Sequence, residues 1–228
     1  MPGALFDEPA RPSVGLVVAL HGFTRSPEHL DELARGCTRS GLACLRPLLA
    51  PSLDPMRIGR PRAIERIADS LAHSICGFDG PVTLLGHSAG AAAACWIART
   101  WRKAGTARTL AGLVLVDGVD GVTRLLDRSI DDLDGVPMVA LTAEPGRCNR
   151  QGALAGFLDC KRPGVTLRIL GAAHGDIEGE DRWVYRLGCK ERSSDRMRTL
   201  VIANAVQACL RLSSLSVSGS RLADQPVS

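Results

Sequence analysis

Short, largely unbroken apolar runs recur along the chain at residues 15–20, 42–46, 82–85, 113–116, 136–141 and 166–170. They lack the strict polar alternation of a half-exposed strand, so each reads as a strand of a parallel sheet covered on both faces. Between them, apolar residues return with helical spacing. A stretch from about 28 to 40 places Leu30, Leu33, Ala34 and Cys37 on one face and stops at Gly41. Pro61 suits the first turn of a helix running to about Ile75, with Ile64, Ile67, Ala68 and Leu71 in register. Further helices are expected from residue 91 to about 104 and from 193 to 211.

Strands that alternate with helices imply a sheet with right-handed crossovers. The expected fold class is therefore α/β: about six parallel strands flanked by helices, with no full lid domain. Residues 1–13 are too few for an opening hairpin and read as an N-terminal extension to a single domain over 14–212. Residues 213–228 are rich in Ser, lack an apolar period and are expected to be disordered. Two loops, 47–60 and 118–135, are the only segments long enough to cover a site.

Composition narrows the classes. The 228 residues, 45% hydrophobic and 23% charged, suit one domain with a sizeable core. A formal charge of +4 is scattered, and the densest cations, Arg57, Arg60, Arg62 and Arg66, have no interleaved aromatics. They read as a solvated helix face, so no nucleic-acid partner is implied. The N-terminus has neither the basic start nor the apolar core of a signal peptide, and no run is long enough to span a bilayer. A soluble, cytoplasmic protein without a membrane anchor is expected, its oligomeric state open. Eight cysteines form no C-x-x-C pair and no metal-ligand spacing, so no metal is expected. Cys44, Cys95 and Cys209 read as core residues. Cys148, Cys160 and Cys189 fall in or beside loops, where reduced thiols are expected and a disulfide among the three stays open.

The chemistry centres on Gly86-His87-Ser88-Ala89-Gly90, set between an apolar strand and a helix-forming run. G-x-S-x-G at a sharp strand-to-helix turn presents a nucleophilic serine, and the helix N-terminus brings positive potential to where an oxyanion forms. A serine needs a general base, and the base needs an orienting acid. Of five histidines, only His174 follows Ser88, and it lies just beyond the last strand. Asp117, Asp120 and Glu144 are the candidate acids. Asp117 is favoured because it closes a fully apolar strand, where a carboxylate needs a partner; Glu144 reads as orienting its loop. The amides of Phe23 and Ala89 are the expected oxyanion donors, each worth about 3 kcal/mol in the transition state, with Thr24 as a supplement. His21 reads as structural. Asp176, Glu178, Glu180 and Asp181 read as a solvated acidic loop. Trp96, Trp101 and Trp183 read as packing residues. Leu48, Leu49, Val119, Val122, Leu125 and Ile177 are expected to flank the site.

Taken together, His21-Gly22-Phe23, Gly86-His87-Ser88-Ala89-Gly90, Val116-Asp117-Gly118-Val119-Asp120-Gly121, Glu144-Pro145 with Cys148-Asn149, and Gly171-Ala172-Ala173-His174-Gly175-Asp176 resemble the chlorophyllase-like branch of the α/β-hydrolases over most of residues 15–210. The resemblance implies a serine hydrolase that cleaves carboxylic esters through an acyl-enzyme, without a cofactor, using Ser88, Asp117 and His174. It places the acid in a D-x-V-D-G motif, in agreement with Asp117. Plant members resemble G-H-S-R-G and D-P-V-D-G where this chain has Ala89 and Gly118, so the scaffold carries over better than any chlorophyll substrate. A thioesterase or acyltransferase with the same triad, or a non-catalytic binding protein on this scaffold, are the alternatives.

Overall fold

The structure, a computed structural model, describes residues 3–50, 54–106, 110–162, 165–179, 188–189 and 193–223. Seven strands form one sheet: β1 (Leu5–Asp7), β2 (Leu16–Leu20), β3 (Ala43–Arg46), β4 (Val82–His87), β5 (Leu110–Val116), β6 (Met138–Thr142) and β7 (Val165–Arg168), in the order β1-β3-β2-β4-β5-β6-β7. β1 runs antiparallel to β3, and every other pairing is parallel. Among the described residues, six α-helices flank the sheet: α1 (Asp31–Arg39), α2 (Pro61–Ser74), α3 (Ala89–Lys103), α4 (Leu125–Ile130), α5 (Ala153–Lys161) and α6 (Asp195–Ala223).

The apolar runs of the central strands are unbroken because both sheet faces are covered there, whereas the edge strand β7, expected to be covered on both faces as well, leaves Leu167 exposed. Leu16, Val18 and Leu20 of β2 face a core shared with α2, α3 and α4, while Val17 and Ala19 face one shared with α1 and α6. Central β4 is buried along its whole length. Helix α3 lies so deep that Ala91 to Ala98 are all buried, and the Trp101 indole N–H donates to the Ala68 carbonyl at 2.9 Å, joining α3 to α2. Trp96 packs beneath the Arg99 and Arg128 guanidinium groups, at 4.4 and 5.0 Å from its ring centre. Trp183 lies outside the described residues.

Two boundaries differ from expectation. The N-terminal extension contributes β1, so the sheet has seven strands instead of about six. Three residues are too few to show a period, and this edge strand is held by chemistry at its end: Arg46 Nη2 lies 2.8 Å from Asp7 Oδ2, and the same guanidinium pairs with Asp31. Helix α6 does not stop near 211 but continues to Ala223, so the tail expected to be disordered is helical through that residue. Leu212 and Ser213 are buried because glycines on the sheet leave room for them: a Cβ on Gly112 would meet Leu212 Cδ2 at 3.0 Å, and one on Gly15 would meet Ser213 Oγ at 2.7 Å. Packing against the sheet carries the helix past residue 211 as far as Ser213, which a Ser-rich sequence does not announce. Among the described residues no helix is long and apolar enough to cross a membrane.

Candidate active site

Ser88 is the single residue between β4 and α3, with φ 55° and ψ −123°. A non-glycine residue held there stores on the order of 1–3 kcal/mol of strain. Its neighbours enforce the geometry: the Ser88 amide donates to Val116 O at 3.1 Å, and the Ser88 carbonyl accepts from Ala91 and Val119, both at 3.0 Å. The two glycines of the motif are sterically required. A Cβ on Gly86 would sit 2.5 Å from Ala91 Cα, and one on Gly90 would sit 2.6 Å from the His21 carbonyl.

The three candidate acids separate cleanly. Asp117 follows β5 at φ 43° and is buried; its Oδ2 lies 2.6 Å from His174 Nδ1, and Oδ1 accepts the Ala143 amide at 3.0 Å. His174 Nε2 in turn lies 3.0 Å from Ser88 Oγ, which completes a continuous line Asp117–His174–Ser88. Asp120 points elsewhere, accepting the Leu126 and Asp127 amides at 3.2 and 3.0 Å at the start of α4. Glu144 orients a loop, as expected, by accepting the Gly171 amide at 3.0 Å three residues before His174.

The acidic stretch after His174 corrects the sequence reading. Asp176 and Glu178 are buried, not solvated. Asp176 accepts the Ala173 amide at 2.8 Å and the Ser193 hydroxyl, and Glu178 pairs with Arg25 at 2.9 Å, tying the His174 loop to the loop that carries Phe23. Glu180 and Asp181 lie outside the described residues. Among the described residues no cluster of His, Cys, Asp or Glu is arranged to hold a metal ion.

Two buried histidines frame the line. His87, to which sequence reasoning assigned no role, sends its Nε2–H to the His174 carbonyl at 2.9 Å, with ring centres 4.9 Å apart. Burial holds its pKa well below the usual 6.5, so the ring is neutral. Its place beside Ser88 in the elbow was the one available signal. His21 is structural: Nε2 accepts the Leu49 amide at 3.0 Å and Nδ1–H donates to Gly22 O at 2.9 Å. Burial lowers its pKa from 6.5 to about 4. Because the unfolded chain takes up that proton first, the stability tied to the neutral ring is complete above pH 6.5 and is lost as pH falls toward 4, in all about 3 kcal/mol. Urea unfolding at pH 7 and 4.5 should show this loss, and His21→Asn should flatten it.

Phe23 and Ala89 line the same cavity as Ser88 and His174, and among the described residues no acceptor engages the backbone amide of either one. The Thr24 hydroxyl, in contrast, donates to Phe23 O at 2.6 Å and is not turned toward an oxyanion. The cavity measures about 840 Å³, within the range of small-molecule sites. The loop 47–60 contributes Met56 and Ile58, and the segment 118–135 contributes Val119, Val122 and Leu125, so the two loops expected to cover the site do line it. Leu49 and Ile177, expected at the site, belong to the core, and Leu48 packs against Gly3.

One wall of the cavity carries a disulfide between Cys148 and Cys189, 41 residues apart, where reduced thiols were expected. Neither sequence position nor spacing discriminates such a pair from Cys160, which is free and exposed. Cys44, Cys95 and Cys209 are buried free thiols, and burial pushes that of Cys95 up to about 12, which keeps it unreactive.

No family model and no curated protein matches the sequence. Solved structures do resemble it. Est1E from Butyrivibrio proteoclasticus, solved with ferulic acid, superposes with a TM-score of 0.67 at 13% identity over 92% of this chain and 94% of that one. A soluble variant of the monoglyceride lipase of Saccharomyces cerevisiae, in complex with a substrate analogue, gives 0.59 at 10% identity, covering 92% and 91%. A dienelactone hydrolase from Anabaena variabilis gives 0.60 at 18%, covering 90% and 88%. The chain has the α/β-hydrolase fold.

Proposed function

We propose that the protein is a cofactor-independent serine hydrolase of carboxylic esters. The observation that carries this reading is the buried Asp117–His174–Ser88 line opening into a largely apolar cavity. Ser88 Oγ adds to the ester carbonyl as His174 Nε2 takes its proton, and the Phe23 and Ala89 amides receive the oxyanion. Asp117 keeps the Nδ1–H tautomer and stabilises the imidazolium. Collapse of the tetrahedral intermediate expels the alcohol, which takes the proton from His174. Water, activated by the same base, then releases the acid and restores Ser88.

The chlorophyllase-like branch is proposed for its scaffold and triad, not for its substrate. At position 118 a side chain has little room, since a Cβ on Gly118 would lie 2.8 Å from Ala91 Cβ, so the proline of the plant pattern does not fit this packing. The Cys148–Cys189 bond favours an oxidising compartment over the cytoplasmic one expected from the sequence.

Mixing the protein with a soluble nitrophenyl ester should give a burst of one equivalent of nitrophenol per protein, then slower steady turnover. Absence of turnover above buffer hydrolysis contradicts the proposal. Thioester substrates and added alcohol or amine acceptors identify a thioesterase or acyltransferase by faster release or by transfer product.

A further inference from the structure

The Asp117 carboxylate has a partner that its part in the Ser88 line does not by itself require. Asn149 is 1% exposed, and its Nδ2 donates to Asp117 Oδ1 at 3.3 Å, to Asp117 Oδ2 at 3.1 Å and to the Glu144 carbonyl at 2.7 Å. Its Oδ1 accepts the Gly146 and Gly152 amides at 2.8 and 3.0 Å. The orientation of the amide is determined by this network: two backbone N–H groups require the oxygen, and a carbonyl and a carboxylate require the nitrogen.

We infer that Asn149 is a positioning residue that fixes the rotation of the Asp117 carboxylate so that Oδ2 faces His174 Nδ1. The inference rests on the esterase reading for its kinetic consequence, but not for its geometry. The Ala143 amide holds only Oδ1, about which the carboxylate can turn. The Asn149 amide bridges both oxygens and removes that freedom. The Glu144 carbonyl takes one N–H at 2.7 Å, so the other is shared between the two carboxylate oxygens, and the charge on the acceptor strengthens that shared bond relative to a neutral one. Asn149 adjoins Cys148, whose disulfide to Cys189 anchors the same loop at the cavity wall. The amide touches neither Ser88 nor the ester; it acts through Asp117.

Asn149→Asp is the discriminating variant, because the retained oxygen still accepts the Gly146 and Gly152 amides while the donor to Asp117 is replaced by an acceptor. Two carboxyl groups in contact cannot both ionise freely, so the new carboxyl titrates above the usual carboxylate range and, when protonated, regains an O–H donor. On a soluble nitrophenyl ester at pH 8, kcat should fall about 10- to 100-fold with KM within about 2-fold of wild type. The deficit should shrink as pH is lowered, whereas that of Asn149→Ala should not. In parallel, proton NMR should show the low-field His174 Nδ1–H resonance in the wild-type protein and in Ser88→Ala, and its loss in Asn149→Asp at pH 8, with the remaining amide resonances still those of a folded protein. Wild-type kcat in both variants with an unchanged resonance overturns the inference. So does a deficit that is equal and pH-independent in both variants. If the wild-type protein turns over no ester, the esterase reading fails while the resonance alone still decides whether Asn149 positions Asp117.

Discussion

Ser88→Ala should lower kcat for ester hydrolysis by about 10⁶-fold while leaving the circular dichroism spectrum and melting temperature close to wild type. The structural reason for the second half is that Ser88 is held through its backbone: its amide and carbonyl make the bonds to Val116, Ala91 and Val119, and an alanine keeps all three. The first half follows from the proposed chemistry, in which the serine oxygen 3.0 Å from His174 Nε2 forms the acyl bond. Residual catalysis above the buffer rate, from the Phe23 and Ala89 amides and from binding, should remain at roughly 10³-fold. Steady-state rates on one nitrophenyl ester, with the variant purified free of wild-type protein, measure both figures.

Asp117→Asn should lower kcat by about 10⁴-fold. An amide can present its N–H₂ to His174 Nδ1, which favours the tautomer with the proton on Nε2 and leaves Ser88 facing a donor instead of a base. Asp117 is buried and Oδ2 is 2.6 Å from the ring, so water cannot replace the carboxylate. The matched control is Asp120→Asn. That carboxylate accepts two amides of the first turn of α4, where an asparagine oxygen still caps the helix, so the substitution should cost less than about 1 kcal/mol of stability and change kcat less than about 2-fold. If Asp120→Asn abolishes activity and Asp117→Asn does not, the acid has been assigned to the wrong residue.

What the sequence made legible follows from how each element is stabilised. Strands β2, β4 and β5 are buried on both faces, so their apolar runs are continuous, and Ser88 and Asp117 each sit at the end of such a run, whereas His174 follows the edge strand β7, where Leu167 is exposed. The elbow was readable because steric necessity prescribes both of its glycines. Elements held by single polar contacts or by long-range packing were not readable. β1 pairs with β3 over only three residues and is tied to Arg46 through Asp7, and α6 passes residue 211 where Leu212 and Ser213 pack over Gly112 and Gly15. Asp176 and Glu178 look solvated as a string of acids, and only the fold brings Ser193 and Arg25 to them. The Asn149 bridge joins residues 32 apart, a separation that no local pattern encodes.

Reaction with an activated organophosphonate, followed by peptide mass spectrometry, tests the central claim most directly, because it reports the nucleophile without requiring the natural ester. One phosphonyl adduct per chain should be found on the peptide that contains Ser88, and none in Ser88→Ala. An unlabelled wild-type protein, or an adduct on any other residue that persists in Ser88→Ala, contradicts the account.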